Sequence, residues 1–180
     1  MLGTMPGSSR EQILQAASQL LQDGQSVSLD TAARAVELTK AGVMHYFPTK
    51  AALMVALVDD QVDQWIDGMT AALPQPVEQT TAEERVLVYL DWCLCTVAGP
   101  GDLAMLSDPR LREQLTARWA ERMTPWFELS PDLPPEQAAR LAAVRLLADG
   151  VWFAHAIDFL PPTADQHDVL RRAARNLLEQ

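Results

Sequence analysis

Apolar residues recur along this chain at three- and four-residue intervals, and nearly every such stripe opens beside a residue able to cap a helix. Ile13, Leu14, Ala17, Leu20 and Leu21 form one stripe. Leu53, Leu57, Val62, Trp65, Ile66, Met69 and Leu73 form a longer one, and Val169/Leu170, Ala173/Ala174 and Leu177/Leu178 a third. Ser8 or Ser9 with Glu11 or Gln12, Thr81 with Glu84, and Thr163 with Gln166 have capping-box spacing. Gly24 and the Pro-rich stretches mark the stops. β-branched residues are scarce beside Ala and Leu, and no segment alternates as a strand does. The expected fold class is all-α, with about nine helices at 8–24, 28–37, 40–46, 50–73, 81–98, 103–106, 109–128, 135–159 and 164–179.

Hydrophobic residues are 48% of the 180, enough for a sizeable core. The most apolar stretch, 141–160, is interrupted by Arg145, Asp149, His155 and Asp158, so no membrane span or membrane partner is expected. The first ten residues carry no apolar leader, and a cytoplasmic protein is the default expectation. Cys93 and Cys95 fall on opposite sides of a helix, which disfavours a disulfide between them. With three His, at 45, 155 and 167, no metal spacing emerges, and no cofactor is implied. Asp59, Asp63 and Asp67, one turn apart, read as a solvated face.

The net charge of −10 is unevenly spread. Residues 1–50 hold four basic and four acidic side chains; residues 51–180 hold ten and twenty. A polyanion would meet the neutral head and be repelled by the acidic body. The head concentrates its basic and aromatic groups in "TKAGVMHYFPTK" (39–50). Two short helices joined by a tight turn behind a longer first helix make a helix-turn-helix, whose second helix enters the DNA major groove. Ala41 and Gly42 allow close backbone approach. Lys40 and Lys50 can neutralise phosphates, and Ser28, Thr39, His45 and Tyr46 are short-reach donors.

Residues 10–57, through "REQILQAASQLLQDG" and "SLDTAARAVELTKAGVMHYFPTKAAL", resemble the DNA-binding domain of the TetR family of transcriptional regulators. Leu38, Thr39, Lys40, Val43, Tyr46, Phe47, Thr49, Lys50 and Leu53 fall in register with the family pattern. Two positions depart from it. Glu37 stands where the family usually has Gly in the turn, and Met44 where it commonly has Tyr, a frequent DNA contact. By the same resemblance Phe47 is a core residue. The resemblance implies a helix-turn-helix domain over 1–50 and a helical ligand-binding and dimerisation domain over 51–180. It implies a homodimer through the last two helices, binding a palindromic operator as a repressor. A small-molecule effector would shift the long helix behind the head and release the DNA.

All five Trp lie in the body. Trp65, Met69, Trp92, Trp119, Met123, Trp126, Phe127, Trp152 and His155 are candidate walls for a lipophilic or aromatic effector, and each fits plain core packing as well. Asp91 and Asp149 are expected near inward faces, with Arg145 or Arg118 as ion-pair partners. Two other readings are open to the sequence. A small all-α enzyme lacks a nucleophile–base pair, a phosphate loop or a metal motif; no catalytic residue is assigned. An adaptor with a protein-binding head is distinguished by whether Lys40 and Lys50 are needed for DNA binding.

Overall fold

Helix ends are where this chain's local chemistry is most visible. In the computed structural model, which describes residues 9–96, 98–103 and 108–180, eight α-helices and three 3₁₀ turns are present and no strand occurs among the described residues. The helices are α1 (Ser9–Gln22), α2 (Leu29–Ala35), α3 (Lys40–Tyr46), α4 (Lys50–Ala72), α5 (Ala82–Cys95), α6 (Arg112–Met123), α7 (Pro135–Ala156) and α8 (Ala164–Leu178). The short turns are Val77–Gln79, Pro100–Leu103 and Thr124–Phe127. The expected cap at Ser8 and most of the expected segment 103–106 lie outside the described residues.

Side-chain caps form at Ser28, Thr39, Thr49 and Thr81. Ser28 Oγ accepts the Thr31 N–H at 3.0 Å, and Thr31 Oγ1 accepts the Ser28 N–H at 2.8 Å. Thr39 accepts from Gly42 N, Thr49 from Ala52 N and Thr81 from Glu84 N. Each satisfies an N–H that the first helical turn leaves without a partner. At the end of α1, Gln25 N bonds Leu20 O and Gly24 N bonds Leu21 O, with Gly24 at φ +69. This is a Schellman closure with glycine at the left-handed position.

α6 is shorter than the 109–128 helix expected from sequence. At its start Asp108 Oδ1 accepts the Arg110 N–H, holding a turn in place of a helical one. At its end Pro125 has no N–H to give the preceding turn, and the chain tightens into the 3₁₀ turn.

The described residues form two compact units. One takes the chain up to Gln61 with Pro100–Trp119; the other takes Val62–Gly99 with Ala120–Gln180. In the first, α1 packs on α2 and on the Pro100–Leu103 turn, and α2 packs on α3. Ile13, Ala17, Ala32, Val43, Phe47 and Leu53 fill its core. In the second, α5 packs most extensively on α7, and also on α8 and the Thr124–Phe127 turn. Leu90, Val144, Ala148 and Trp65 are buried there.

The aspartate ladder of α4 is not wholly solvated. Asp59 Oδ1 accepts Arg118 Nε at 2.7 Å in the first unit, and Asp63 pairs with Arg122 in the second. α7 has a second apolar face pointing outward: Ala139, Ala143, Leu146, Gly150 and Phe153, spaced four and three residues apart, are all exposed. Among the described residues no single helix is long and apolar enough to cross a membrane.

Candidate DNA interface and effector site

In the first unit, α2 and α3 meet at a turn whose backbone carries strain. Leu38 N bonds Ala33 O at 2.9 Å, Glu37 N bonds Arg34 O at 3.4 Å, and Glu37 sits at φ +56. The closure is the same as at Gly24, made here by a residue with a Cβ. The left-handed conformation costs a non-glycine residue roughly 1–2 kcal/mol. The departure at Glu37 noted in the sequence is thus a structural one.

α3 presents Lys40, Ala41, Met44, His45 and Tyr46 to solvent, with Gly42 half-buried and Val43 buried against the core. Thr39, ahead of it, is exposed. His45 and Tyr46 stack edge to face, ring centroids 5.1 Å apart. Phe47 is buried, with the Arg10 guanidinium 5.3 Å from its ring centre, a cation–π contact. Ser28 spends its hydroxyl on the α2 cap. Both candidate phosphate-binding lysines already have carboxylate partners: Lys40 Nζ lies 2.8 Å from Asp30 Oδ2, and Lys50 Nζ 2.6 Å from Asp108 Oδ2. The Lys50 hydrogen bond, aided by the Arg110 N–H, holds the Asp108 carboxyl below its usual pKa.

In the second unit the aromatic candidates divide. Trp65 is fully buried, with Trp152 edge-on at 5.8 Å, Tyr89 at 6.1 Å and Trp92 at 6.3 Å between ring centres. Tyr89 meets Phe127 edge to face at 4.9 Å. Met69 and Met123 are buried, and His155 is half-buried. Trp119 belongs to the first unit. Trp126 and Phe127 line a partly open cleft of about 90 Å³ between α5, α7 and the turn joining α6 to α7, with Val86, Leu141, Arg85 and Arg145.

A polar network lies behind this cleft. Tyr89 Oη donates to Asp149 Oδ1 at 2.8 Å, and Arg145 Nη1 donates to Asp149 Oδ2 at 2.5 Å. Burial pushes the Tyr89 phenol well above its usual pKa, helped by neighbouring Cys93 and Asp149. Burial likewise raises the Cys93 thiol, against a hydrogen bond with Tyr89 that lowers it. Both groups therefore stay neutral, and the carboxylate of Asp149 is held by a phenol and a guanidinium. Asp91 pairs with Arg171, so the pairing to Arg145 anticipated from sequence holds for Asp149 and not for Asp91. Arg85 gives Nε to Trp126 O at 2.9 Å, Nη1 to Thr80 O at 2.9 Å and Nη2 to Glu128 O at 2.8 Å. Trp126 Nε1 returns a bond to Arg85 O at 3.2 Å. Sequence reading missed Tyr89, Arg85 and Asp108. Tyr89 stands four residues before Cys93 on one helix face, a signal that could have been used; nothing local points to the other two. Among the described residues no group of His, Cys, Asp or Glu is placed to hold a metal ion.

The family model for the tetracyclin repressor-like C-terminal domain matches residues 83–179, more than half of the chain. The chain belongs to the TetR family. No curated protein matches its sequence. Among solved structures it is similar to the multidrug binding protein EbrR complexed with malachite green, at 21% identity and a TM-score of 0.67, covering 95% of this chain and 98% of that one. It is similar to a TetR-family member from Streptomyces coelicolor A3, at 24% identity and a TM-score of 0.63, again covering 95% and 98%. A third similar structure is AmtR of Mycobacterium smegmatis, at 19% identity, a TM-score of 0.54 and coverage of 98% and 89%. These likenesses establish the fold: an all-α TetR-family chain whose helix-turn-helix is α2–α3 and whose C-terminal helices are those of the family domain.

Proposed function

We propose that this TetR-family regulator is a homodimeric repressor that reads a palindromic operator through α3 and is released by a lipophilic effector held in its C-terminal helices. The observation that carries the DNA reading is α3 itself. It is a capped seven-residue helix, Lys40–Tyr46, presenting Lys40, His45 and Tyr46 beside small Ala41 and Gly42. The outward apolar face of α7, at alternating four- and three-residue spacing, supports a second copy as partner. Such a face suits a knobs-into-holes seam, and monomers rarely leave one in water. The domain division proposed is a DNA-binding head near 1–50 and an effector and dimer domain over 51–180. α4, which contributes residues to both compact units, is the element whose movement would alter the spacing of two recognition helices. That spacing must match one DNA turn, about 34–36 Å.

Selection of random double-stranded DNA on the purified protein tests the reading. The expected result is a palindromic consensus whose binding weakens steeply with salt. Absence of enrichment at low salt, with and without added cell extract, sinks it. A second reading, a head that binds protein, draws support from the carboxylate partners of both lysines. Replacing Lys40 and Lys50 by Ala separates the two, since only DNA binding should collapse.

A further inference from the structure

We infer that the cleft between α5 and α7 takes a single-ring aromatic anion, a benzoate-like carboxylate, with its ring against Phe127 and its carboxylate on Arg145. The inference rests on the proposed effector role of the C-terminal helices and names the ligand class. Three observations lead to it.

The first is charge. Arg85 gives all three guanidinium nitrogens to main-chain carbonyls and forms no ion pair among the described residues, while Glu78 and Glu128 line a separate groove on its other side. Arg145 offsets Asp149, leaving that pair neutral. No Asp or Glu lines the cleft. The field in it is that of a half-buried cation. A cationic ring entering would be repelled, and an anion would be held more strongly than in water because the surroundings are apolar.

The second is donor geometry. Arg145 uses Nη1 on Asp149, while Nε and Nη2 have no partner among the described residues. A guanidinium with two donors to spare on a cleft wall suits a carboxylate, which accepts parallel N–H bonds. Arg85 is committed to holding the Thr124–Glu128 segment and supplies field rather than contact.

The third is size. The cleft holds about 90 Å³ and is lined on its apolar side by Val86, Phe127, Leu129 and Leu141. An enclosed apolar cavity of about 150 Å³ accommodates benzene. The cleft is smaller than that, so at most one ring enters, and only with part of the ring as well as its substituents in the open mouth.

Titration calorimetry on the intact protein tests this with benzoate, benzamide and benzylamine, which share a ring and differ in charge. Benzoate is expected to bind roughly tenfold or more tightly than benzamide, and benzylamine not at all. Arg145→Lys keeps a cation for Asp149 but loses the planar fork, and should weaken benzoate severalfold while leaving benzamide unchanged. Leu129→Trp, on the partly exposed rim, should weaken both by filling the cleft. Benzylamine binding as well as benzoate, or benzoate indifferent to Arg145→Lys, overturns the anion assignment while leaving an effector cleft standing. If no ring binds yet the protein selects a palindromic DNA, the cleft assignment falls and the regulator reading survives.

Discussion

Trp92 occupies the space that a side chain at residue 68 would need. A Cβ built on Gly68 lies 2.1 Å from Trp92 Cζ3 and 2.3 Å from its Cη2. The indole of α5 thus lies directly on the backbone of α4, and it also meets the buried ring of Trp65. Gly68 is intrinsically unfavourable inside a helix, and the close approach is what compensates.

Gly68→Ala is therefore expected to destabilise the protein, although alanine is the better helix former. Displacing a packed indole should cost about 1–3 kcal/mol, net of any propensity gain. Thermal unfolding followed by tryptophan fluorescence reads both the lower Tm and an altered native spectrum. An unchanged or raised Tm would show that the ring moves aside freely.

Glu37→Gly should act in the opposite direction. It relieves the left-handed strain at φ +56, for a gain of about 1 kcal/mol. It also removes a negative charge from the turn ahead of α3, so DNA binding should tighten. Glu37→Ala removes the charge and keeps the strain. If both variants have the same Tm, the strain argument is wrong.

Asp108→Asn should free Lys50 for a phosphate. The expected readout is a log–log salt slope of DNA binding steeper by about one counterion. The same variant reports on stability. Because the folded-state pKa of Asp108 is depressed, its contribution is present above the ordinary value of 3.8 and is lost as pH falls through the depressed value. The stability gap between wild type and Asp108→Asn should therefore be constant near neutrality and close in strong acid. A gap that persists below that range would point to a cause other than the ion pair.

The two cysteines should behave differently towards a thiol reagent. Cys95 is exposed; Cys93 is buried and held protonated by its surroundings. One equivalent of label is expected in the native protein and two after denaturation, with mass spectrometry placing the first on Cys95. Native labelling of Cys93 would mean that the α5–α7 contact opens readily.

Leu146→Glu tests the outward face of α7. Leu146 is 59% exposed in one chain, so the variant should fold, and its sedimentation should shift from dimer to monomer. A wild-type protein that sediments as a monomer, or a variant that remains dimeric, removes this face as the interface.

The helices, their caps, the glycine stop at α1 and the helix-turn-helix were legible because each depends on groups within about five residues of one another. Period, capping hydroxyls and Pro or Gly punctuation are written locally. Even the unusual turn at Glu37 announced itself, as a side chain where the family usually has glycine. What tertiary structure decided are the pairings across long separations. Lys50 meets Asp108, 58 residues on; Tyr89 meets Asp149, 60 residues on; Arg85 meets the carbonyl of Trp126, 41 residues on. No local period encodes such partners. They follow from how helices pack, and packing selected which tryptophans became core around Trp65, which ring faces a cleft, and which arginine gives its donors to main-chain carbonyls.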